Sequence, residues 1–103
     1  MKIKNSDFIN LTRGFSVLVD TKFPLFVSRK VREIAKTLNS KAESVNVNID
    51  EINAIEDIEE KEKELEIFLN EEIEVNVEKL KIEDLGDLEI SAAELGLIES
   101  ILE

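Results

Sequence analysis

The side chains in this chain that could do chemistry are almost all carboxylates. The sequence has 24 Asp and Glu against 13 Lys and Arg, and it contains no His, Cys, Tyr or Trp. Without those four residue types, catalytic triads, Cys/His dyads, zinc sites with nitrogen or sulfur ligands and the usual proton shuttle near neutral pH are excluded. What remains is carboxylate chemistry, either a paired acid and base or a bound hard cation.

Carboxylate chemistry requires acids that converge in a cleft, whereas acids on a solvated helix do not form a site. The sequence "EDLGDLE", residues 83–89, has acids around a glycine but lacks the D-x-D-x-D-G spacing of a calcium loop, so it is better explained as a turn between a strand and a helix. No S-x-x-K motif is present, and three scattered glycines cannot form a phosphate-binding loop. We therefore expect no enzyme activity, no catalytic residue, no cofactor and no metal.

The acids are densest between residues 56 and 74. On a rigid helix and an adjoining strand, they would present negative charge at spacings similar to those of phosphates, and so could occupy a basic groove of a nucleic-acid-handling protein. The alternative is a solvated surface that only keeps the protein soluble. The candidate partner-binding residues are Glu56, Asp57, Glu59, Glu60, Glu62, Glu64, Glu66, Glu71, Glu72 and Glu74.

A secondary basic stripe is formed by Arg29, Arg32 and Lys36, which share one face of a predicted helix. Three cations on a chain of net charge −11, without aromatic stacking residues beside them, argue against direct nucleic-acid binding. The aromatic side chains near the stripe and before it are assigned to the hydrophobic core: Phe8, Phe15, Phe23 and Phe26.

Charge is divided along the chain. Residues 1–43 carry nine Lys/Arg and four Asp/Glu, residues 44–74 carry two and twelve, and residues 75–103 carry two and eight. These basic and acidic segments either pair with each other, within the fold or across a dimer, or leave the acidic part free to face a basic partner.

The length of 103 residues fits one domain, residues 1–103. "MKIKN" predicts a short strand, and Ser6 is the expected N-cap of a helix that ends near residue 20. A second helix is expected over about residues 25–45 and a third over about 51–70. We place a turn at "SVNVNID", residues 44–50, which makes these helices a hairpin; one continuous helix over 25–70 is the alternative.

From residue 72 the apolar period changes to two, which predicts a strand over 73–77. Its natural partner is "KIK" at the N-terminus, since Glu72 and Glu74 would then face Lys2 and Lys4. A second extended piece is expected at "LKIEDL", residues 80–85.

A capping box of Ser91 and Glu94 predicts a C-terminal helix that packs Leu95, Ile98 and Leu102. The expected fold class is thus α+β and mostly helical. It has a helical hairpin, a small antiparallel sheet pairing the N-terminal strand with a strand near 72–78, and a C-terminal helix.

Both ends of the chain resemble a known group of sequences. "MKIKNSDFIN" leading to "FPLFVSRKVREIAKTL", and then "LNEEIEVNVEKLKIEDLGDLEISAAELGLIESIL", resemble small proteins of unknown function from phages and prophages of low-GC Gram-positive bacteria. Those proteins have a longer, glycine-containing loop between the two long helices, where this chain has only "SVNVNID", and no functional residue carries over. The resemblance implies a phage protein that works inside a bacterial cell.

These observations predict a phage-encoded, non-catalytic protein-interaction protein. It would act as an acidic, nucleic-acid-mimicking inhibitor of a host nucleic-acid-handling or defence protein, such as a restriction or CRISPR system. The alternative is a virion structural or assembly protein, meaning a head or tail component or its chaperone. The expected partner is a host or phage protein with a basic surface, and a homo-oligomer is also considered.

The expected location is the host bacterial cytoplasm, or the virion under the alternative function. No signal peptide is recognisable, and no apolar run approaches the eighteen or so residues that a membrane helix needs, so no membrane association is expected.

Overall fold

Four α-helices and one two-stranded sheet make up the chain, which the computed structural model describes over residues 1–103. This architecture confirms the predicted class, including the helical hairpin, the sheet and the C-terminal helix. Short 3-10 turns lie at Ile82–Leu85 and Glu99–Ile101. The main elements in chain order are β1 (Lys2–Lys4), α1 (Asn5–Val19), α2 (Leu25–Asn53), α3 (Ile58–Asn70), β2 (Glu72–Glu74) and α4 (Ala92–Ile98).

The sheet has the predicted partners and the predicted charge complementarity. β1 and β2 are antiparallel, and opposite charges directly across such a pair favour the register. β2 is shorter than the predicted strand over 73–77. Val75 is fully buried and still exchanges backbone hydrogen bonds of 2.8 Å with Met1, and residues 76 and 77 have no strand partner. The register is Lys2↔Glu74, Ile3↔Ile73 and Lys4↔Glu72.

The expected N-cap of α1 is wrong, because the helix begins at Asn5 and Ser6 does not cap it. Asn5 is buried, and its side-chain amide donates to the Phe68 carbonyl over 2.8 Å. Its backbone N–H donates to the Glu71 carbonyl over 2.9 Å. The start of α1 is therefore held by the end of α3, and strand β1 leads into the helix without a turn.

The predicted turn at residues 44–50 is wrong, and so is the continuous helix over 25–70. α2 continues to Asn53, and the chain reverses at residues 54–57 before α3 begins. The hairpin is present, but its turn lies later in the chain and its second helix is shorter than the predicted 51–70.

The continuation of α2 follows from its apolar spacing. Val45 is buried, and Ile49 and Ile52 follow on the same side of the helix at steps of four and three residues. Asn48, which suggested a turn, instead donates from its side chain to the Ser44 carbonyl over 2.9 Å within the helix. The helix ends only where this apolar stripe ends.

The core lies between α1, the first two thirds of α2 and the C-terminal segment. Phe8 and Phe15 of α1 are buried as expected, and Phe23 is half-buried. Phe26 is 65% exposed, so its assignment to the core is wrong. It is one residue away from Val27 of the buried stripe, and one step along a helix turns the side chain by about 100°.

The C-terminal segment differs in two details from expectation. Leu80 forms a parallel bridge with Leu102, but residues 82–85 form a 3-10 turn and not an extended piece. Leu95 is 42% exposed and does not pack in the core, because α4 is only seven residues long and buries the side that carries Ile98. Ser91 caps α4 as expected, because its hydroxyl accepts the Glu94 N–H over 3.1 Å. The Glu94 carboxylate accepts from the Ser91 hydroxyl and not from the Ser91 backbone N–H, so the second half of the predicted capping box is not formed.

α4 packs closely against α1 at Gly14. This glycine is buried, and a Cβ atom placed on it would lie 2.5 Å from the Leu97 Cβ and 3.2 Å from a methyl carbon of Ile98. The missing side chain therefore allows the two helices to approach each other.

Candidate functional site

The most distinctive surface is the end of the helical hairpin, residues 46–64, here called the hairpin arm. None of these residues is buried. Val45 is the last buried residue of α2, and the only buried residue of α3 is Phe68 near its other end. α2 runs eight residues beyond Val45, which is about 12 Å. The arm therefore projects from the core.

An apolar seam holds the two sides of the arm together. Ile49 and Ile52 of α2 and Ile55 of the turn are half-buried, as is Leu65 at the base of the arm on α3. α3 begins with a capped turn, because the Asp57 carboxylate accepts the Glu60 N–H over 3.1 Å. The sequence thus folds the arm locally with a small apolar contact and one cap.

The arm is strongly acidic, with eight Asp/Glu and two Lys and hence a net charge of −6. All eight acids are exposed. The four ion pairs of the structure lie elsewhere, so none of these acids has a cation within 4.0 Å. Two apolar side chains are also exposed on the arm, Val47 at 56% and Ile58 at 70%.

The structure brings together seven of the ten predicted partner-binding residues, which lie in the turn and along α3. On α3 itself, five Glu and two Lys lie between residues 59 and 66, which span about 10 Å of helix axis. The net charge density is one negative charge per about 3.5 Å, close to the ~3.4 Å per charge of one DNA strand. The seven residues are Glu56, Asp57, Glu59, Glu60, Glu62, Glu64 and Glu66.

The other three predicted residues lie apart from this surface. Glu71 follows the end of α3, and its carbonyl accepts the Asn5 N–H. Glu72 and Glu74 are in β2 and face the lysines of β1. A Glu74 oxygen also lies 3.3 Å from the Met1 amino nitrogen. Glu72 and Glu74 belong to the sheet and Glu71 links α3 to it, so none of the three lies on the arm.

Sequence reasoning missed two acids of the arm. Asp50 and Glu51 are exposed near the end of α2, but the predicted turn at 44–50 separated them from the acidic surface. The spacing of Val45, Ile49 and Ile52 is the signal that places these acids on a continuing helix.

The basic stripe, Arg29, Arg32 and Lys36, lies on the exposed side of α2 as predicted. Lys36 contacts Glu33 over 3.4 Å, and both side chains are largely exposed. Arg29 is 21 residues from Asp50 along α2, a distance of about 32 Å. No Lys or Arg side chain lies within 4.0 Å of a carboxylate in residues 44–74. Within residues 44–74 only Glu74 has a close cation, the Met1 amino group, whereas Lys30 of the basic segment pairs with Asp84 and Glu78 of residues 75–103.

A second charged cluster surrounds Lys30, which is half-buried. Its ammonium lies 3.3 Å from the Asp84 carboxylate, 4.0 Å from that of Glu78 and 4.6 Å from the centre of the Phe26 ring. A groove of about 600 Å³ lies beside it. Sequence reasoning missed this cluster because Lys30 and Asp84 are 54 residues apart.

The pKa of Asp84 is held below its ordinary value of 3.8. The main cause is the hydrogen bond that its carboxylate accepts from the Lys81 N–H over 3.1 Å; partial removal from water opposes the shift, and the charge of Lys30 adds to it. A carboxylate paired in this way fixes the 82–85 turn to α2 and is a poor proton acceptor.

The structure contains no group of three or more Asp or Glu side chains arranged to hold a metal ion. Only α2 has the length of a membrane span, and its sequence is too polar to form one. No protein-family model, no curated protein and no solved structure matches the chain.

Proposed function

We propose that this protein is a non-catalytic binding protein whose hairpin arm docks onto a basic surface of another protein. The observation that carries the proposal is the arm itself: it has a net charge of −6, all eight of its acids are exposed, and none of these acids has a Lys or Arg nitrogen within 4.0 Å. Unpaired charge of one sign on a projecting element speeds association with an oppositely charged partner and selects for it.

The spacing of charge on α3 narrows the partner class. One net negative charge per about 3.5 Å of helix axis is close to the spacing of phosphate charges along one nucleic-acid strand. A basic groove that binds such a strand would therefore also attract α3. We infer a host protein that handles nucleic acid, including restriction or CRISPR components, which the arm would block by occupying its nucleic-acid groove. Because the sequence resembles phage proteins, the proposed place of action is the cytoplasm of the infected bacterium.

The proposal is tested by pull-down from a lysate of a low-GC Gram-positive host at about 50 mM and 500 mM salt, where the Debye length falls from about 14 Å to 4 Å. An arm variant removes four negative charges without changing side-chain size: Glu59→Gln, Glu60→Gln, Glu62→Gln and Glu64→Gln. A control variant removes four exposed charges outside the arm: Glu83→Gln, Asp87→Asn, Glu89→Gln and Glu99→Gln.

We expect wild type and the control variant to capture a nucleic-acid-handling protein at low salt, and the arm variant to lose it. Equal capture by the arm and control variants would contradict the role of the arm. So would capture that persists unchanged at high salt, because an interface built on exposed charges is screened.

A second candidate function is virion assembly, in which the protein joins copies of itself or other phage components. The observation that favours it is the number of large apolar side chains on the surface. Capture of phage structural proteins from infected cells, with no host partner, would support this function over the first. The exposed side chains are Val19, Leu25, Phe26, Val47, Ile58, Ile67, Ile82 and Leu95.

A further inference from the structure

The outer face of α2 carries a second pattern, which becomes visible only because the helix continues to Asn53. Exposed residues recur on this face at alternating steps of four and three, the spacing of one stripe along a helix. The first half of the stripe is cationic and the second half is anionic. In order, the stripe is Leu25, Arg29, Arg32, Lys36, Asn39 with Ser40, Glu43, Val47 and Asp50.

We propose that this stripe is the contact surface for a second copy of the same chain, with the two α2 helices antiparallel. Centred between Asn39 and Ser40, the stripe is complementary to itself after a two-fold rotation. Arg29 of one copy then faces Asp50 of the other, and Lys36 faces Glu43. Each contact occurs twice, as two-fold symmetry requires.

The apolar members of the stripe fit the same register. Val47 of one copy meets the hydrocarbon stem of Arg32 in the other, and such a stem can cover apolar surface while its guanidinium remains in water. Leu25, which is 71% exposed, falls opposite Ala54 at the start of the turn. The polar pair Asn39 and Ser40 lies at the two-fold axis, where small side chains let the helices approach.

A second copy is favoured because the cations and anions of the stripe do not meet within one molecule. Its nearest opposite charges, Lys36 and Glu43, are two helical turns apart, and the contact of Lys36 with Glu33 lies beside the stripe. Arg29 and Asp50 are about 32 Å apart on a rigid helix, several times the ~8 Å Debye length at physiological salt. A parallel pairing would place cation against cation and anion against anion, which is destabilising. Only the antiparallel pairing brings each charge of the stripe to its opposite.

The proposed dimer goes beyond the proposed function. It uses Val47, Asp50 and Ala54 of the hairpin arm and leaves the acids of the turn and of α3 free. α3 packs against the side of α2 that carries Ile49 and Ile52, whereas the stripe lies on the opposite, exposed side. The dimer would therefore hold two hairpin arms at opposite ends of the paired α2 helices. If the wild type stays monomeric, the proposed role of the arm is unaffected. If the arm variant still captures its partner, the proposed dimer is unaffected.

The dimer should be weak and salt-sensitive. A strip about 40 Å long and 10 Å wide covers roughly half of the ~800 Å² per partner typical of stable interfaces, and its ion pairs stay near solvent. We expect it to form at low salt and tens of micromolar protein and to dissociate at about 500 mM salt.

Charge exchange tests the register directly by sedimentation velocity at low salt. The acid variant carries Arg29→Glu and Lys36→Glu, and the base variant carries Glu43→Lys and Asp50→Lys. Each alone places like charges opposite each other, so dimerisation should weaken on the order of tenfold or more. Mixing the two, or combining all four substitutions in one chain, restores every opposite pair and should restore the dimer.

A control variant, Lys22→Glu with Lys41→Glu, makes the same change in net charge with exposed lysines off the stripe, and it should dimerise like wild type at matched salt. Circular dichroism confirms that each variant is folded. Wild type that stays monomeric at low salt would overturn the proposal. Loss of the dimer in the control, or no recovery in the mixed and combined variants, would overturn it as well.

Cysteine cross-linking separates the antiparallel dimer from other assemblies, because the chain has no cysteine of its own. Asn39→Cys lies beside the proposed two-fold axis and should form a disulfide-linked dimer on mild oxidation. Asn53→Cys, at the end of α2, would be about 40 Å from its copy and should not. Cross-linking at both positions would indicate parallel helices, and species larger than a dimer would indicate an open chain; either result would overturn the proposal.

Discussion

Gly14→Ala is expected to destabilise the fold, whereas Gly96→Ala is not. The two glycines lie on packed helices of the same domain, so they form a matched pair. At Gly14 the new Cβ would lie 2.5 Å from the Leu97 Cβ, while at Gly96 no atom lies within 4 Å of it. Carbon atoms in ordinary contact are about 3.5–4.0 Å apart, so α1 and α4 would have to separate by about 1 Å at Gly14.

The magnitudes follow from two opposing effects. Replacing glycine by alanine inside a helix stabilises it by up to about 1 kcal/mol. Overpacking costs about 1–3 kcal/mol, and contact between two Cβ atoms belongs at the upper end because neither can rotate away. We therefore expect Gly14→Ala to lose about 2 kcal/mol and Gly96→Ala to gain about 0.5 kcal/mol.

Urea unfolding followed by circular dichroism measures the change in the free energy of unfolding for both variants, and thermal unfolding measures the change in Tm. For a domain of this size, each 1 kcal/mol shifts Tm by about 4–8 °C, so Gly14→Ala should melt about 8–16 °C below wild type. A Gly14→Ala variant as stable as wild type would refute the close packing of α1 on α4. Equal losses at both positions would show that the effect comes from the helices themselves and not from their contact.

Three further variants test other contacts. Asn5→Ala removes the amide that donates to the buried Phe68 carbonyl and should cost about 1–3 kcal/mol in urea unfolding; a neutral effect would contradict that bond. Asp57→Ala removes the cap of α3 and should cost about 0.5–2 kcal/mol, with the faster amide exchange confined to the arm; exchange that speeds up equally in α1 would not fit. Because the pKa of Asp84 is lowered in the fold, its ionised form stabilises the protein above about pH 4, and this stability is lost as the pH falls through the lowered pKa. Asp84→Asn should therefore lower Tm at pH 7 and match wild type well below pH 3.8, and a Tm difference that is constant with pH would contradict the pairing.

Much of the fold could be predicted because local pattern and final packing agree. The sheet register follows from lysines opposite glutamates, and the C-terminal helix follows from its Ser91 cap. In both cases a few residues close together in the sequence are enough to predict the element, and tertiary packing then buries its apolar side without changing it.

The hairpin turn could not be placed because two local signals disagreed. Asparagines and an aspartate at 46–50 favour a turn, while the apolar spacing that continues from Val45 favours a helix. The structure follows the apolar spacing, because that stripe packs against α3 while Asn48 finds a partner inside the helix. The start of α1 at Asn5 was missed for a different reason. The residues that hold Asn5 in place, Phe68 and Glu71, are more than sixty residues away in the chain, so no local pattern shows them.

The composition of the candidate site could be predicted, but its extent could not. Acids on α3 are evident from sequence, whereas the separation of Glu72 and Glu74 from them depends on where the sheet begins. Asp50 and Glu51 join the arm only because α2 continues. The Lys30 cluster needs contacts across 54 residues, which no local pattern reveals.

The central claim is that the hairpin arm replaces a nucleic-acid strand on its partner. The most direct test is competition: a fluorescent DNA or RNA duplex is bound to the captured partner, and its anisotropy is followed as wild type, arm variant or control variant is added. The account predicts that wild type and the control displace the duplex, less so as salt rises, and that the arm variant does not. A complex that holds the duplex and this protein together, or equal displacement by the arm variant, would contradict it.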